Sequence, residues 1–312
     1  MKYPLDPELA GPAAMLPEFD YNDLPAARAK ATELLLSFGP VDETGVRVEN
    51  RVIPNSSGAP DVTLRIYHPD ALVAPAAIYH VHSGGFIVGD LETEHAWCID
   101  IARRLGIVVI AVDYRLAPEF PYPGPLEDVY VGLAWLAKNA AEFGIDPQRI
   151  AIHGVSAGGG LCAAVALLAR DRGGPDIAFQ FLAVPQVDDR LTAASAEKFV
   201  DTPMWDRNCS IISWNAYLGR GVPGSDSVPA YAAPARATDL RNLPPAYVSA
   251  MEFDPLRDEG IEYALALLRA GTQVELHLLP GTYHGSRLVP QAAISQRELA
   301  EEVAVLRRAL LV

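Results

Sequence analysis

Ile150-Ala151-Ile152-His153-Gly154-Val155-Ser156-Ala157-Gly158-Gly159-Gly160 is the stretch that decides the fold. Its first three residues form a short apolar run that predicts a buried parallel strand, and the Ala-rich run Leu161 to Ala169 predicts a helix. Between them stands Gly-x-Ser-x-Gly, and strand, tight turn and helix in that order are what a nucleophile elbow requires. Gly154 and Gly158 have a steric reason: a Cβ at either place would meet the neighbouring strand or helix. Gly158, Gly159 and Gly160 together let the helix lie close to the sheet. Ser156 at the tip takes a strained backbone that pushes its Oγ clear of the strands. The Ala157 amide, at the positive end of the helix dipole, then points at a developing oxyanion. The competing explanation is a serine in an ordinary glycine turn.

Composition narrows the function classes. The chain has 312 residues, 50% of them hydrophobic and 21% charged, which is enough for a large core in one α/β domain. A net charge of -14 argues against nucleic acid and against an anionic membrane surface. Cys98, Cys162 and Cys209 are scattered, with no CxxC pair, which suits a reducing compartment. Met1 to Asp6 lacks the apolar stretch of a signal peptide, and no apolar run reaches the length of a membrane span. A soluble, cytoplasmic protein is the expectation.

Outward from the elbow, strands and helices alternate. Val46–Ile53 and Val62–Tyr67 read as an antiparallel pair around the turn at 55–58, and Ala77–Val81 as a third strand. Helix Glu94–Leu105, strand Ile107–Val112 and helix Leu126–Phe143 precede the elbow strand. Strands Phe179–Val184, Ala246–Ala250 and Val274–Leu279 follow it. This order predicts a mostly parallel sheet with helices on both faces. Two parts break the rhythm. Residues 1–45 carry one helix candidate, Leu24 to Phe38, and residues 188–242 carry Trp205, Ile211, Ile212, Trp214 and Tyr217 at helical spacings with no strand. These two are expected to form a cap over the carboxyl ends of the strands, the core being 46–187 and 243–312.

A serine nucleophile needs a base, and the base needs a carboxylate, in the chain order Ser, acid, His. Of the seven histidines only His277 and His284 follow the elbow. His277 falls within a strand, whereas His284 lies in Pro280-Gly281-Thr282-Tyr283-His284-Gly285, after one, where catalytic groups are carried. For the acid, Asp254 closes a strand just before Pro255. Glu252 is the rival, and Asp258 and Glu259 read as opening the next helix. Asp254-Pro255 could equally be a plain turn initiator. His82-Ser83-Gly84-Gly85 follows the third strand, where a backbone donor for the oxyanion is required. His80, His82 and His95 are close in sequence, but no set of three ligands with metal spacing lies on one element, so no metal or cofactor is expected.

His82-Ser83-Gly84-Gly85-Phe86, Asp113-Tyr114-Arg115-Leu116-Ala117-Pro118-Glu119, Gly154-Val155-Ser156-Ala157-Gly158-Gly159 and Asp254-Pro255-Leu256-Arg257-Asp258-Glu259-Gly260 together resemble the bacterial hormone-sensitive-lipase family of esterases. The resemblance spans residues 82–285. It implies an α/β-hydrolase fold, with a mostly parallel eight-stranded sheet and a helical cap. It also implies cofactor-free hydrolysis of short- to medium-chain acyl esters. Carried over, Ser156 is the nucleophile, Asp254 the acid and His284 the base, and the amides of Gly84, Gly85 and Ala157 form the oxyanion hole. Phe86, Val155, Trp205 and Trp214 are expected to line the substrate pocket. Ser83 replaces a glycine of the family pattern, and Val155 replaces an Asp or Thr. Tyr114–Glu119 reads as a supporting loop.

Other classes share this machinery. A catalytically weak small-molecule receptor on the same fold is expected to lack a triad member, and here three candidates are present. An amidase, a lactonase or a peptidase uses the same groups. The expected partners are a small-molecule ester and, at most, a second copy of the chain.

Overall fold

Alternate residues of the central strands choose the two faces of one sheet, and the helices follow them. The structure, a computed structural model, describes residues 2–55 and 58–311; Ser56 and Ser57, in the middle of the expected first turn, lie outside the described residues. The strands are β1 (Val46–Ile53), β2 (Val62–Pro69), β3 (Ala77–Val81), β4 (Val108–Asp113), β5 (Ile150–Val155), β6 (Phe179–Ala183), β7 (Ala246–Phe253) and β8 (Val274–Tyr283). They form one eight-stranded sheet in the order β1-β2-β4-β3-β5-β6-β7-β8. β2 runs antiparallel to β1 and β4, and the remaining pairs are parallel.

The helices are α1 (Pro7–Ala13), α2 (Leu24–Ser37), α3 (His95–Leu105), α4 (Gly124–Asn139), α5 (Ala157–Arg172), α6 (Ala194–Lys198), α7 (Arg207–Leu218), α8 (Arg257–Arg269) and α9 (Ala293–Leu310). Ile150 and Ile152 of β5 point into a core built with α4, α5 and α8, while Ala151 joins a second core with α3 and α9. β5 is buried throughout, as a parallel strand covered on both faces should be.

The bounds of α4, β7 and β8 differ from the sequence expectation, each for a local reason. α4 begins at Gly124, because Pro125 fits a first helical turn whose amide has no partner anyway, and it ends at Asn139 in a short 3-10 turn, Ala140–Phe143. β7 and β8 continue past Ala250 and Leu279. The pairing skips from Met251↔Leu279 to Phe253↔Tyr283, so two extra residues of β8 bulge out beside Pro280, which has no N–H to give the ladder.

Residues 188–242 contain α6, α7 and a 3-10 turn at Pro234–Arg236, and no strand. α7 starts where the Asp206 side chain accepts the Cys209 N–H at 2.9 Å, and it buries Trp214 and Tyr217 while Ile211 stays exposed. No helix among the described residues is long and apolar enough to cross a membrane.

Candidate active site

Ser156 sits between β5 and α5 with φ 57° and ψ -119°, a conformation costing about 1–3 kcal/mol for a non-glycine residue. Three hydrogen bonds hold it there: its N–H donates to Ala183 O at 2.9 Å, and its carbonyl accepts the N–H groups of Gly160 and Gln186, both at 3.0 Å. The turn can be this tight only without side chains on either side. A Cβ on Gly154 would come within 2.3 Å of Gly158 O, and one on Gly158 within 2.1 Å of Val81 O.

The end of β8 brings His284 over this serine. Its Nε2 lies 3.0 Å from Ser156 Oγ, and its Nδ1 lies 2.7 Å from Asp254 Oδ2. The other oxygen of Asp254 accepts the Leu256 N–H at 2.8 Å, so the carboxylate is aimed before it meets the ring. Asp254 is fully buried, and Ser156 and His284 keep 2% and 8% of their surface. The rivals have other work. Glu252 accepts the Gly281 N–H at 2.7 Å, Asp258 accepts the Ser195 N–H at 2.8 Å, and His277 pairs with Glu275 and Glu301 at 3.0 Å each.

Across the serine lies the loop after β3. Peptide planes fix where its N–H groups point, and the carbonyl at the far side of each plane is held. His82 Nδ1 lies 2.7 Å from Ser83 O, which orients the Gly84 amide. Gly84 O accepts the N–H groups of Ile87 and Val88 at 3.0 Å, which orients the Gly85 amide. Gly84 itself has φ 121°, and a Cβ there would lie 2.0 Å from Val88 O. Among the described residues, the amides of Gly84, Gly85 and Ala157 find no protein acceptor. The loop Tyr114–Glu119 braces this one: Ala117 N–H donates to Phe86 O at 2.9 Å, and Arg115 grips the buried Asp128 through Nε and Nη2 at 2.7 Å each.

The four expected pocket residues do not share one surface. Trp205 is over the site: its ring centroid is 5.9 Å from that of His284, and a Cβ on Gly85 would meet its edge at 2.4 Å. Phe86 and Trp214 pack together at 5.3 Å, with Tyr217 stacked on Phe86 at 4.2 Å. Val155 belongs to the core on the opposite face of the sheet, with Ala183 and Met251, because it is the odd residue of a strand whose even residues face α5.

A family model described as alpha/beta hydrolase fold matches residues 78–288, which include the elbow, the Gly84–Gly85 loop, Asp254 and His284. The chain belongs to the alpha/beta hydrolase family. Within it the chain is hormone-sensitive-lipase-like. It is 40% identical over 276 residues to the carboxylesterase NlhH of Mycobacterium tuberculosis, covering 85% of this chain and 83% of that one. It is 33% identical to an arylesterase of Saccharolobus solfataricus, covering 90% and 92%. Among solved structures, a bacterial heroin esterase superposes with a TM-score of 0.96 at 49% identity, over 98% of each chain. This alpha/beta hydrolase is a carboxylic ester hydrolase.

Several buried polar residues of this hydrolase take partners that their sequence setting does not announce. Glu259, read as a helix-opening charge, accepts the Val187 N–H at 2.7 Å and the Asp188 N–H at 3.2 Å, at the exit of β6, and burial pushes its carboxyl well above the usual range. His80 faces His153, its register partner on β5, with their Nδ1 atoms 2.9 Å apart. His95 meets Tyr67 and Glu43, and no group of three His, Cys, Asp or Glu side chains among the described residues could hold a metal.

These buried groups set the pH range of stability. Burial pulls His153 down from 6.5 to about 4, so its contribution is complete above pH 6.5 and is lost as pH falls toward 4. Glu302 is held at about 2 although burial opposes this, because Arg287 and His153 favour its charge; its contribution is lost between about pH 4.5 and 2. Glu298 works the other way. Burial raises it to about 7 despite Arg287, so folding loses stability as pH rises from 4.5 through 7. Glu298→Gln is therefore expected to stabilise the fold at pH 8 by up to roughly 3 kcal/mol, and to change little at pH 5. Thermal melts at the two pH values check this; equal shifts at both count against it.

Proposed function

We propose that the protein hydrolyses short- to medium-chain acyl esters through Ser156, His284 and Asp254, by way of an acyl-enzyme. The observation that carries this is the continuous chain Ser156 Oγ, His284 Nε2, His284 Nδ1 and Asp254 Oδ2, with links of 3.0 and 2.7 Å, opposite three unused amides. His284 Nε2 takes the Ser156 proton as Oγ attacks the ester carbonyl carbon. Asp254 accepts the Nδ1–H and stabilises the imidazolium. The oxygen of the tetrahedral intermediate takes up the N–H groups of Gly84, Gly85 and Ala157, and the dipole of α5 adds to them. His284 then protonates the departing alcohol. Water repeats the sequence on the acyl group and frees Ser156. The receptor reading predicts a missing triad member; the contacts among Ser156, His284 and Asp254 support the enzyme reading over it.

Acyl size follows from the cover. Trp205 lies against Gly85 and His284, and we take residues 1–45 and 188–242 as a cap that closes over them. Each buried methylene adds only about 0.8 kcal/mol before a wall is met. The best rates are expected for acyl chains of about two to eight carbons. A series of p-nitrophenyl esters from acetate to palmitate tests this. A maximum at palmitate, or activation by triglyceride emulsions, overturns the size limit. Failure of every ester, together with no labelling of Ser156 by a fluorophosphonate, overturns the mechanism.

A further inference from the structure

Ser83 is the residue at which the oxyanion loop departs from the family's glycine, and the structure gives it a partner. Its hydroxyl donates to Glu94 Oε1 at 2.6 Å, and its N–H lies 3.3 Å from Glu94 Oε2. Glu94 stands at the start of α3, but its side chain makes no capping bond there; it turns to Ser83 instead. The same carboxylate meets His80 Nε2 at 3.3 Å. From His80 the contacts continue through the sheet: Nδ1 to His153 Nδ1 at 2.9 Å, His153 Nε2 to Glu302 Oε1 at 2.7 Å, and Glu302 Oε2 to Arg287 Nη2 at 3.2 Å. Trp97 stacks on His153 at 4.0 Å and packs at a tilt against His80 at 4.7 Å.

The histidine pair has a carboxylate at each end, Glu94 at His80 and Glu302 at His153, and Arg287 closes the far side against Glu302. Burial raises Glu94, but its bonds from His80 and Ser83 prevail and hold it at about 2.

A buried ionic chain rarely adds stability over apolar packing, so where it ends is informative. One end is Ser83, whose C=O shares a peptide plane with the Gly84 amide. The other is Arg287, in the 3-10 turn Ser286–Leu288 that follows His284. We propose that Ser83 and Glu94 are positioning residues for the oxyanion donors, and that the chain from Glu94 to Arg287 ties the oxyanion loop to the loop carrying the base. This rests on the ester-hydrolase mechanism above. Glu94 holds the residue whose peptide aims the Gly84 N–H, and the developing oxyanion feels any loosening of that hold more than bound substrate does.

The test compares Ser83→Gly, Ser83→Thr and Glu94→Gln with the parent. The readouts are kcat and KM on p-nitrophenyl acetate, Ki for a trifluoromethyl ketone that binds as an oxyanion, and fluorophosphonate labelling of Ser156. Ser83→Gly and Glu94→Gln are expected to lower kcat about tenfold or more and to weaken the ketone in proportion. KM stays within about twofold, as loss of an interaction felt only in the transition state requires. Ser83→Thr keeps the hydroxyl and most of the activity. If Glu94→Gln does not fold, the Ser83 pair decides alone. Parental kcat and Ki in Ser83→Gly, or a loss confined to KM, overturns the proposal while the mechanism stands. A parent that neither hydrolyses the ester nor labels at Ser156 removes the mechanism and this proposal with it.

Discussion

Ser156→Ala is expected to lower kcat on p-nitrophenyl butyrate by on the order of a thousandfold or more, with the fold retained. The size follows from what the variant removes. The oxyanion donors and the acyl site remain, so binding and some stabilisation of an attacking water persist, but no covalent intermediate can form. Retention of the fold follows from the backbone. Alanine meets the same penalty as serine at φ 57°, and the hydrogen bonds to Ala183, Gly160 and Gln186 involve only main-chain atoms. The strain makes a second, opposite expectation for glycine. Ser156→Gly loses activity equally but relieves the unfavourable conformation, and so should melt above Ser156→Ala by up to the roughly 1–3 kcal/mol that such a conformation costs. Near-parental turnover in pure Ser156→Ala overturns the assignment of the nucleophile. A Ser156→Gly variant that melts below Ser156→Ala shows that the strain is not stored there.

The elbow was legible because everything it needs is local. A strand, a turn that admits no Cβ and a small-residue helix lie within twenty residues, and steric contacts with Val81 and Gly158 explain the glycines one by one. The antiparallel start and the alternation of later elements were legible from periodicity. What the sequence hid depends on distant partners. His153 and Glu302 are 149 residues apart, and nothing near either one announces the other. Glu259 carries the pattern of a dipole-complementing residue and is instead turned inward onto the amides of Val187 and Asp188. Val155 sits beside the nucleophile in sequence, yet strand alternation sends its side chain to the far core. The extension of β7 and β8 was obscured by Pro280, which reads as an end to a strand when the ladder can bulge around it.

Asp254→Asn is expected to cost on the order of ten-thousandfold in kcat, more than the equivalent change at either neighbouring carboxylate. The three carboxylates lie within seven residues, but the ends of β7 and α8 send them to different tasks. Asp254 receives the Leu256 N–H on Oδ1, which leaves Oδ2 facing His284 Nδ1 at 2.7 Å. In the Asn variant the oxygen keeps Leu256, and the amide nitrogen is then a donor toward Nδ1. The imidazole must turn over its tautomer, so that Nε2 carries a hydrogen and cannot accept the one from Ser156. Glu252→Gln retains a carbonyl oxygen for the Gly281 N–H, so activity should fall only a few-fold, while any loss appears as a looser β8 end. Asp258→Asn keeps an acceptor for Ser195 and loses its charge toward Arg257 at 2.7 Å, a partly buried surface pair worth about 0.2–1 kcal/mol. Kinetics with a thermal melt for each variant separates the three. A dead Glu252→Gln beside an active Asp254→Asn would transfer the acid's role to Glu252 and leave Ser156 and His284 in theirs.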